Sequence, residues 1–168
     1  MADPKLFANP LFLTEEETRI GFDLLMLAGD ALGRVAAPIL ADHGLARPHR
    51  RVLSLVGQRP GISLGELTSA LGQPKQSVSR HIADLVDRTL VAARNHPSDG
   101  RRKALRLTAE GQALDEALWT LERREIVRAY KHAGAESVEG FKMVLRDLAR
   151  PTGRAARAVL ADGKGQEP

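Results

Sequence analysis

The chain has 168 residues, 43% of them hydrophobic and 27% charged, which is the composition of an ordinary folded protein with a core of its own. It contains no cysteine, so disulfides, thiolate metal sites and a cysteine nucleophile are excluded. No run approaches the roughly 20 apolar residues of a membrane span, and the first ten residues lack the pattern of a signal peptide, so we expect a cytoplasmic protein.

Charge is distributed unevenly along the chain, although the formal net value is only +4. Residues 44–106 carry 12 Lys and Arg against 4 Asp and Glu, a balance of +8. The remaining residues carry 13 against 17, a balance of −4. A basic middle between acidic flanks is typical of a module that binds a polyanion and is attached to a scaffold with another role.

The first predicted helix is long and begins at a capping box formed by Thr14 and Glu17. Pro38 falls inside its pattern, where proline kinks or ends a helix, and Gly44 is a plausible end. Its apolar residues recur at intervals of three and four, at Ile20, Leu24, Leu27, Ala31 and Val35.

Two short helices follow. Pro48 lies in the first turn of the second, which carries Val52, Leu53, Leu55 and Val56 and is ended by the breakers in GQRPG. Ser63 and Glu66 form a second capping box, which opens the third helix. We expect the third helix to end at Gly72.

A fourth helix is predicted from Pro74, with Val78, Ile82, Leu85 and Val86 on its buried face. The period then changes, and VAARNH and KALRLT flank PSDGR as a hairpin with a long, polar, basic loop.

Thr108 caps a long helix that is predicted to extend to about Lys131. A last helix is predicted from about Ser137 to the helix breaker Pro151, and RAARAVLA could add a short helix after it. The element order predicts a mainly α fold with a small β-hairpin wing, in other words a winged helix-turn-helix between outer helices.

The start of the fourth helix has the residue types that a helix in the major groove needs. Small and polar side chains let its backbone approach the bases, and Gln, Arg, Lys and Ser are the usual partners of base edges and phosphates. Most such faces are merely solvated, but the basic surroundings favour DNA here. The predicted DNA-binding residues of this helix are Pro74, Lys75, Gln76, Ser77, Ser79, Arg80 and His81.

The hairpin supplies a second set of cations, and its tip also carries His96. A guanidinium group is attracted into a narrow, A·T-rich minor groove. Asp99 would repel phosphate at a DNA-facing tip, so we assign it a structural role in which it holds an arginine and braces the wing. The predicted DNA-binding residues of the wing are Arg94, Arg101, Arg102 and Lys103.

A more specific pattern runs through this region. D-x-R at Asp99 and Arg101 is followed by L-x-L-T-x-x-G from Leu105 to Gly111, and S-V-S-R begins at Ser77. The pattern resembles the MarR family of bacterial transcriptional regulators, and the long helices on either side match the family's order. The resemblance implies a homodimeric winged helix-turn-helix protein, of a kind that often releases DNA when a small ligand binds. It also implies that the fourth helix is the recognition helix and that Arg101 is the wing-tip contact.

Two residues depart from the usual pattern of the family. Thr89 stands where a glycine commonly precedes Leu-Val, and Ala93 occupies a place that is often basic. We expect these departures to affect the turn before the wing and the path of the wing, and to leave the base-reading face unchanged.

We divide the chain into an N-terminal dimerisation helix (1–46), a winged helix-turn-helix domain (47–108), C-terminal dimerisation helices (109–162) and a flexible tail (163–168). The outer helices have more apolar surface than one winged helix can cover, and a two-fold dimer would bury it. The predicted partners are double-stranded DNA, a second copy of the chain and a small-molecule effector.

We expect a sequence-specific DNA-binding transcriptional regulator that acts as a homodimeric repressor on a pseudo-palindromic operator. Two other functions remain open at this point. A non-specific architectural DNA-binding protein would have the same basic middle, and a winged helix can also serve protein contacts. We expect no cofactor, since His43, His49 and His132 are poorly placed as metal ligands. Trp119 is expected to pack in the core or at an interface. No catalytic motif is present, the effector-binding residues are unknown, and we expect the protein not to be an enzyme.

Overall fold

The computed structural model describes residues 14–96 and 99–149, and within them the side chains of residues 96 and 99–102 are left out of the description. The short helix predicted after Pro151 and the flexible tail 163–168 lie outside the described residues. The elements are α1 (Glu15–Asp42), α2 (Arg47–Gln58), β1 (Ile62–Ser63), α3 (Leu64–Leu71), α4 (Lys75–Asp87), β2 (Val91–His96), β3 (Asp99–Leu107), α5 (Ala109–Ala133) and α6 (Ala135–Leu148). The predicted order is confirmed, with one strand added.

The helices begin and end where local side chains satisfy their backbone groups. Thr14 and Thr108 accept the N–H groups of Glu17 and Gly111 through their side chains, as N-caps do. Ser63 and Glu66 bond reciprocally in a capping box, as predicted. Gly72 ends α3 in the left-handed region, at φ +61°.

Pro38 does not end the first helix, contrary to one of the two predicted outcomes. α1 continues through it to Asp42. Ala36 and Leu40, on either side of the proline, are 1% and 2% exposed and belong to the core. Burying one leucine contributes about 1.5–3 kcal/mol, which offsets much of the roughly 3 kcal/mol cost of a proline inside a helix.

One core joins the helix-turn-helix to the sheet and to the start of α5. Its fully buried side chains come from six different elements: Val52, Leu53, Val56, Leu67, Val78, Leu85, Val91, Leu105 and Leu118. Val86, predicted on the buried face of α4, is 36% exposed and lies at the edge of that face.

The sheet has three antiparallel strands in the order β1-β3-β2. The hairpin formed by β2 and β3 is confirmed, with Val91 opposite Leu107 and an irregularity between Asn95 and His96. β3 begins at Asp99, so the ladder includes residues that we expected in the loop. β1 pairs with β3 through Ile62 opposite Leu105, and its two residues are too few to show an alternating pattern.

The outer helices leave much apolar surface uncovered within one chain. α1 is also long and apolar enough, by length and composition, to cross a membrane, so the expectation that no segment has this property is wrong for α1. Only 11% of its most apolar window is buried within the chain. The exposed large apolar side chains of α1, α5 and α6 are Ile20, Phe22, Leu24, Leu25, Met26, Leu27, Trp119, Val127, Phe141, Met143, Val144 and Leu148.

Candidate nucleic-acid interface

The start of α4 presents a polar face that the core holds in place. Val78, Ile82 and Leu85 are buried against the other helices and against the sheet, so the opposite side of α4 faces outward. The exposed residues on that side are those that the sequence predicted, namely Pro74, Lys75, Gln76, Ser79 and Arg80. Ser77 is half-buried beside them.

His81 has a different environment from the rest of the predicted set. Its ring is half-buried and lies 5.0 Å from the ring of His49 in α2, at an interplanar angle of 73°. Nε2 of His49 lies 3.2 Å from a carboxylate oxygen of Asp84, which is three residues after His81 in α4. The His81 ring therefore packs against α2, and the outward face of α4 consists of its neighbours.

The wing is the hairpin of β2 and β3, and its described cations are exposed. Arg94 on β2 is exposed, and Lys103 on β3 places Nζ 2.8 Å from the side-chain oxygen of Asn95 across the ladder. Arg106, which the sequence analysis did not single out, is a further exposed cation of β3. The side chains of His96, Asp99, Arg101 and Arg102 lie outside the described residues, so the bracing role of Asp99 stays a prediction.

The turn from α4 into the wing meets the start of α5. Thr89 has φ +58°, the left-handed conformation that favours glycine, as the departure from the family pattern led us to expect. The hydroxyl of Thr108 donates to the carbonyl oxygen of Thr89 at 2.6 Å, and its N–H donates to the carbonyl oxygen of Leu90 at 3.1 Å. A Cβ at Gly111 would collide with that same Leu90 carbonyl. We call these four residues the wing junction.

A buried ionic cluster connects α2 with α5. The guanidinium group of Arg50 donates to Glu122 at 2.8 and 2.6 Å and to Asp115 at 2.5 Å. The Arg50 side chain is 10% exposed. Burial alone would lower the pKa of Arg50, but the hydrogen bonds and charges of Glu122 and Asp115 raise it above its ordinary value. Arg50 therefore stays charged and ties the DNA-binding helices to α5.

An open cavity of 380 Å³ lies on the surface beside this cluster, among α1, α2, α3 and α5. Polar walls come from Arg50, Arg51, Ser54 and Glu122, and apolar walls come from Leu32, Leu55 and Ile126. Its mixture of aliphatic surface and a few charged groups is typical of a small-molecule site. Among the described residues, no group of three or more His, Asp or Glu side chains is arranged to hold a metal ion.

Sequence reasoning did not find the long-range contacts that Arg50 and His49 make behind the DNA-facing surface. The partners of Arg50 follow it by 65 and 72 residues, and Asp84 follows His49 by 35. No local pattern contains such pairs. The signal that was available is an arginine in the basic start of α2, two residues before Val52, and it is weak because arginines on helices are usually solvated.

Comparison with known proteins finds the same organisation. The model of the MarR family matches residues 43–102, which contain the helix-turn-helix and most of the wing. The HTH-type transcriptional regulator PetP of Rhodobacter capsulatus is 33% identical over 154 residues, a match that covers 92% of this chain and 93% of that protein.

Solved structures with the same fold include regulators with DNA and with a ligand. A mutant of MarR from Escherichia coli, complexed with operator DNA, is 21% identical with a TM-score of 0.63, and the match covers 81% of this chain and 97% of that one. CouR from Rhodococcus jostii RHA1, bound to p-coumaroyl-CoA, is 24% identical with a TM-score of 0.68, and the match covers 80% and 94%. These likenesses establish the winged-helix fold.

Proposed function

The chain belongs to the MarR family of transcriptional regulators, and on that premise we propose that it is a homodimeric repressor that binds a pseudo-palindromic operator. The observation that carries this proposal is the exposed polar start of α4, held outward by a fully buried apolar face. A helix with that surface fits the major groove, where base edges differ from pair to pair. Its activity is regulation and not catalysis.

The outward residues of α4 have separable roles. Gln76 and Arg80 are suited to bidentate contacts with adenine and guanine, and Lys75 and Ser79 are suited to guanine or phosphate. Ser77 is half-buried and contributes a phosphate contact at most. The half-buried ring of His81 lies behind this face, against His49.

The wing supplies the contacts that fix the position of the protein on the duplex. Arg94 and Lys103 are exposed on adjacent strands and suit phosphate. Arg101 and Arg102 extend this basic surface towards the minor groove, with Asp99 as the brace. These roles rest on the sequence pattern and on the β2–β3 ladder that carries the residues.

The second copy of the chain covers the exposed apolar faces of α1, α5 and α6. An apolar surface of this extent is typical of an interface between subunits. A two-fold dimer presents two recognition helices to half-sites about one duplex turn apart. With its apolar face covered by protein, α1 does not enter a membrane, and the protein acts on DNA in the cytoplasm.

The cavity beside Arg50 is the proposed effector site. CouR is a solved relative with a bound aromatic acyl thioester, p-coumaroyl-CoA. The cavity here has aliphatic walls and an exposed arginine, Arg51, which suit a small amphipathic anion. It lies between α5 and the DNA-binding helices, where a ligand changes their relative position. The proposed units are a dimerisation helix (1–46), a DNA-binding domain (47–108) and C-terminal dimerisation helices (109–162).

The experiment that tests this function is selection of duplexes from a random-sequence library by the full-length dimer. We expect enrichment of an inverted repeat, with affinity orders of magnitude above that for random duplexes of the same length. Equal affinity for all duplexes would identify an architectural DNA-binding protein, and absence of salt-dependent binding would identify a module for protein contacts.

A further inference from the structure

His49 forms a bridge between the start of α2 and the recognition helix. Its Nδ1 accepts a hydrogen bond from the backbone N–H of Ala46 at 3.0 Å. Because Nδ1 is an acceptor, the proton of the neutral ring resides on Nε2, and Nε2 donates to Asp84 at 3.2 Å. Both nitrogens are engaged, which leaves no lone pair for a metal ion.

His81 lies against this bridge from the other side. Its ring is 5.0 Å from that of His49, and its Nδ1 is buried without a hydrogen-bond partner in the described part of the chain. Burial lowers the pKa of His81, the positive charges of His49 and Arg80 lower it further, and Asp84 opposes them. The neutral ring fits this position, whereas an imidazolium ion would be poorly solvated there.

The charged surroundings of His81 come from two elements. His49 faces it from α2, and Arg80 and Asp84 flank it in α4. Two other cations of the start of α2 are engaged elsewhere, since Arg47 pairs with Asp30 of α1 and Arg50 pairs with Glu122 of α5, while Arg51 is exposed. The carboxylate of Asp84 is already occupied by His49, so it offers His81 little compensation.

We propose that His49 is a positioning residue for the recognition helix and that its contact with His81 makes operator binding weaken when the His81 ring becomes protonated. The proposal rests on the proposed function, because it concerns how the same helix is presented to DNA. A positive charge on the half-buried His81 ring favours solvent over the contact with His49, and this separates α4 from the start of α2.

The direction of the effect distinguishes this contact from ordinary electrostatics. A solvated histidine beside DNA gains positive charge in acid and strengthens binding to phosphate. Here the folded state takes up a proton on His81 less readily than the unfolded chain, so the stability of this arrangement is complete above pH 6.5 and declines as the pH falls below it. Operator affinity and the packing of α4 on the start of α2 thus decrease together as the pH falls.

The test uses the duplex that the dimer enriches from a random library, with affinity measured at about pH 8 and about pH 5.5 and at constant ionic strength. The wild type is expected to lose about tenfold in affinity at the lower pH. His49→Gln can keep both hydrogen bonds, because glutamine is a usual partner in a capping box, but it removes the ring that faces His81. His49→Ala removes both bonds.

We expect His49→Ala to weaken binding at both pH values and His49→Gln to restore the affinity at pH 8 with a loss of less than about threefold at pH 5.5. His43→Gln, at an exposed histidine of the α1 end, should keep the full wild-type profile. Stronger binding by the wild type in acid, or a full wild-type profile in His49→Gln, would overturn the proposal.

A second readout needs no DNA. Amide hydrogen exchange in α4, corrected for the intrinsic effect of pH, should accelerate in the wild type at about pH 5.5 and stay unchanged in His49→Gln. Equal protection of α4 at both pH values in the wild type would overturn the proposal. If no duplex is enriched, the proposed function fails, and the exchange measurement still decides whether this contact responds to protons.

Discussion

Arg50 of α2 and Glu122 of α5 form a two-point ion pair, with N–O distances of 2.8 and 2.6 Å, although they are 72 residues apart in the sequence. Their side chains are 10% and 15% exposed. An ion pair of this burial and geometry holds its groups far more firmly than a surface pair does. Removal of one partner is strongly destabilising, because the other charge stays buried without compensation.

We therefore expect Arg50→Leu to lower the free energy of unfolding by about 3 kcal/mol, because Asp115 and Glu122 lose their buried cation. Arg50→Leu combined with Asp115→Asn and Glu122→Gln should recover part of that loss. The measurement is urea denaturation at fixed protomer concentration. Arg19→Ala, which breaks an exposed pair with Glu15, is the control and should cost less than about 1 kcal/mol.

The substitution Thr89→Gly is expected to stabilise the folded protein. A β-branched residue at φ +58° has a steric cost of about 1–2 kcal/mol, and the greater freedom of glycine in the unfolded chain cancels part of the gain. Thr89→Gly should raise the free energy of unfolding by about 0.5–1 kcal/mol, while the bond from Thr108 to the backbone is kept. The control is Thr18→Gly, inside α1, which should lower the free energy of unfolding. A lower free energy of unfolding for both variants would contradict the strain at Thr89.

Leu24→Asp should dissociate the dimer. Leu24 is 61% exposed in the single chain and lies on the apolar face of α1, where we propose that the partner packs. A two-fold interface would bury the new charge twice, so the dissociation constant should rise at least about a hundredfold. Sedimentation velocity measures this change. Gln58→Asp on α2 is the control, and a stable dimer of Leu24→Asp would place the interface elsewhere.

Arg101→Ala should weaken operator binding and reduce the slope of affinity against salt by about one unit for each wing, because one phosphate or minor-groove contact is lost. The dimer should stay intact. Arg128→Ala on α5, which changes the protein charge equally, provides the comparison. Unchanged affinity at matched salt would remove Arg101 from the interface.

Local chemistry explains which parts of the fold were predictable. The capping box of Ser63 and Glu66 and the glycine that ends α3 act within a few residues, so the sequence shows them directly. The outward face of α4 also followed from the spacing of Val78 and Ile82. In these cases the determinant and its effect lie on the same turn or the same helix.

The remaining features depend on residues far apart in the chain. β1 exists because Ile62 and Ser63 lie against β3, and α1 continues past Pro38 because the flanking residues are buried by other helices. His81 was grouped with the base-reading residues because its partner, His49, comes 32 residues earlier. Periodicity within one helix cannot distinguish a solvated polar side chain from one that packs on a neighbouring helix.

The wing junction has a mechanical consequence. Gly111 lets the first turn of α5 lie against the carbonyl of Leu90. Thr108 is hydrogen-bonded to the backbone of Thr89 and Leu90. These contacts hold the first residues of the wing, the end of α4 and the start of α5 together. In a two-fold dimer, the distance between the two recognition helices then depends on the angle between the two α5 helices. An effector that opens this angle shifts both recognition helices at once, and the operator is released by loss of spacing.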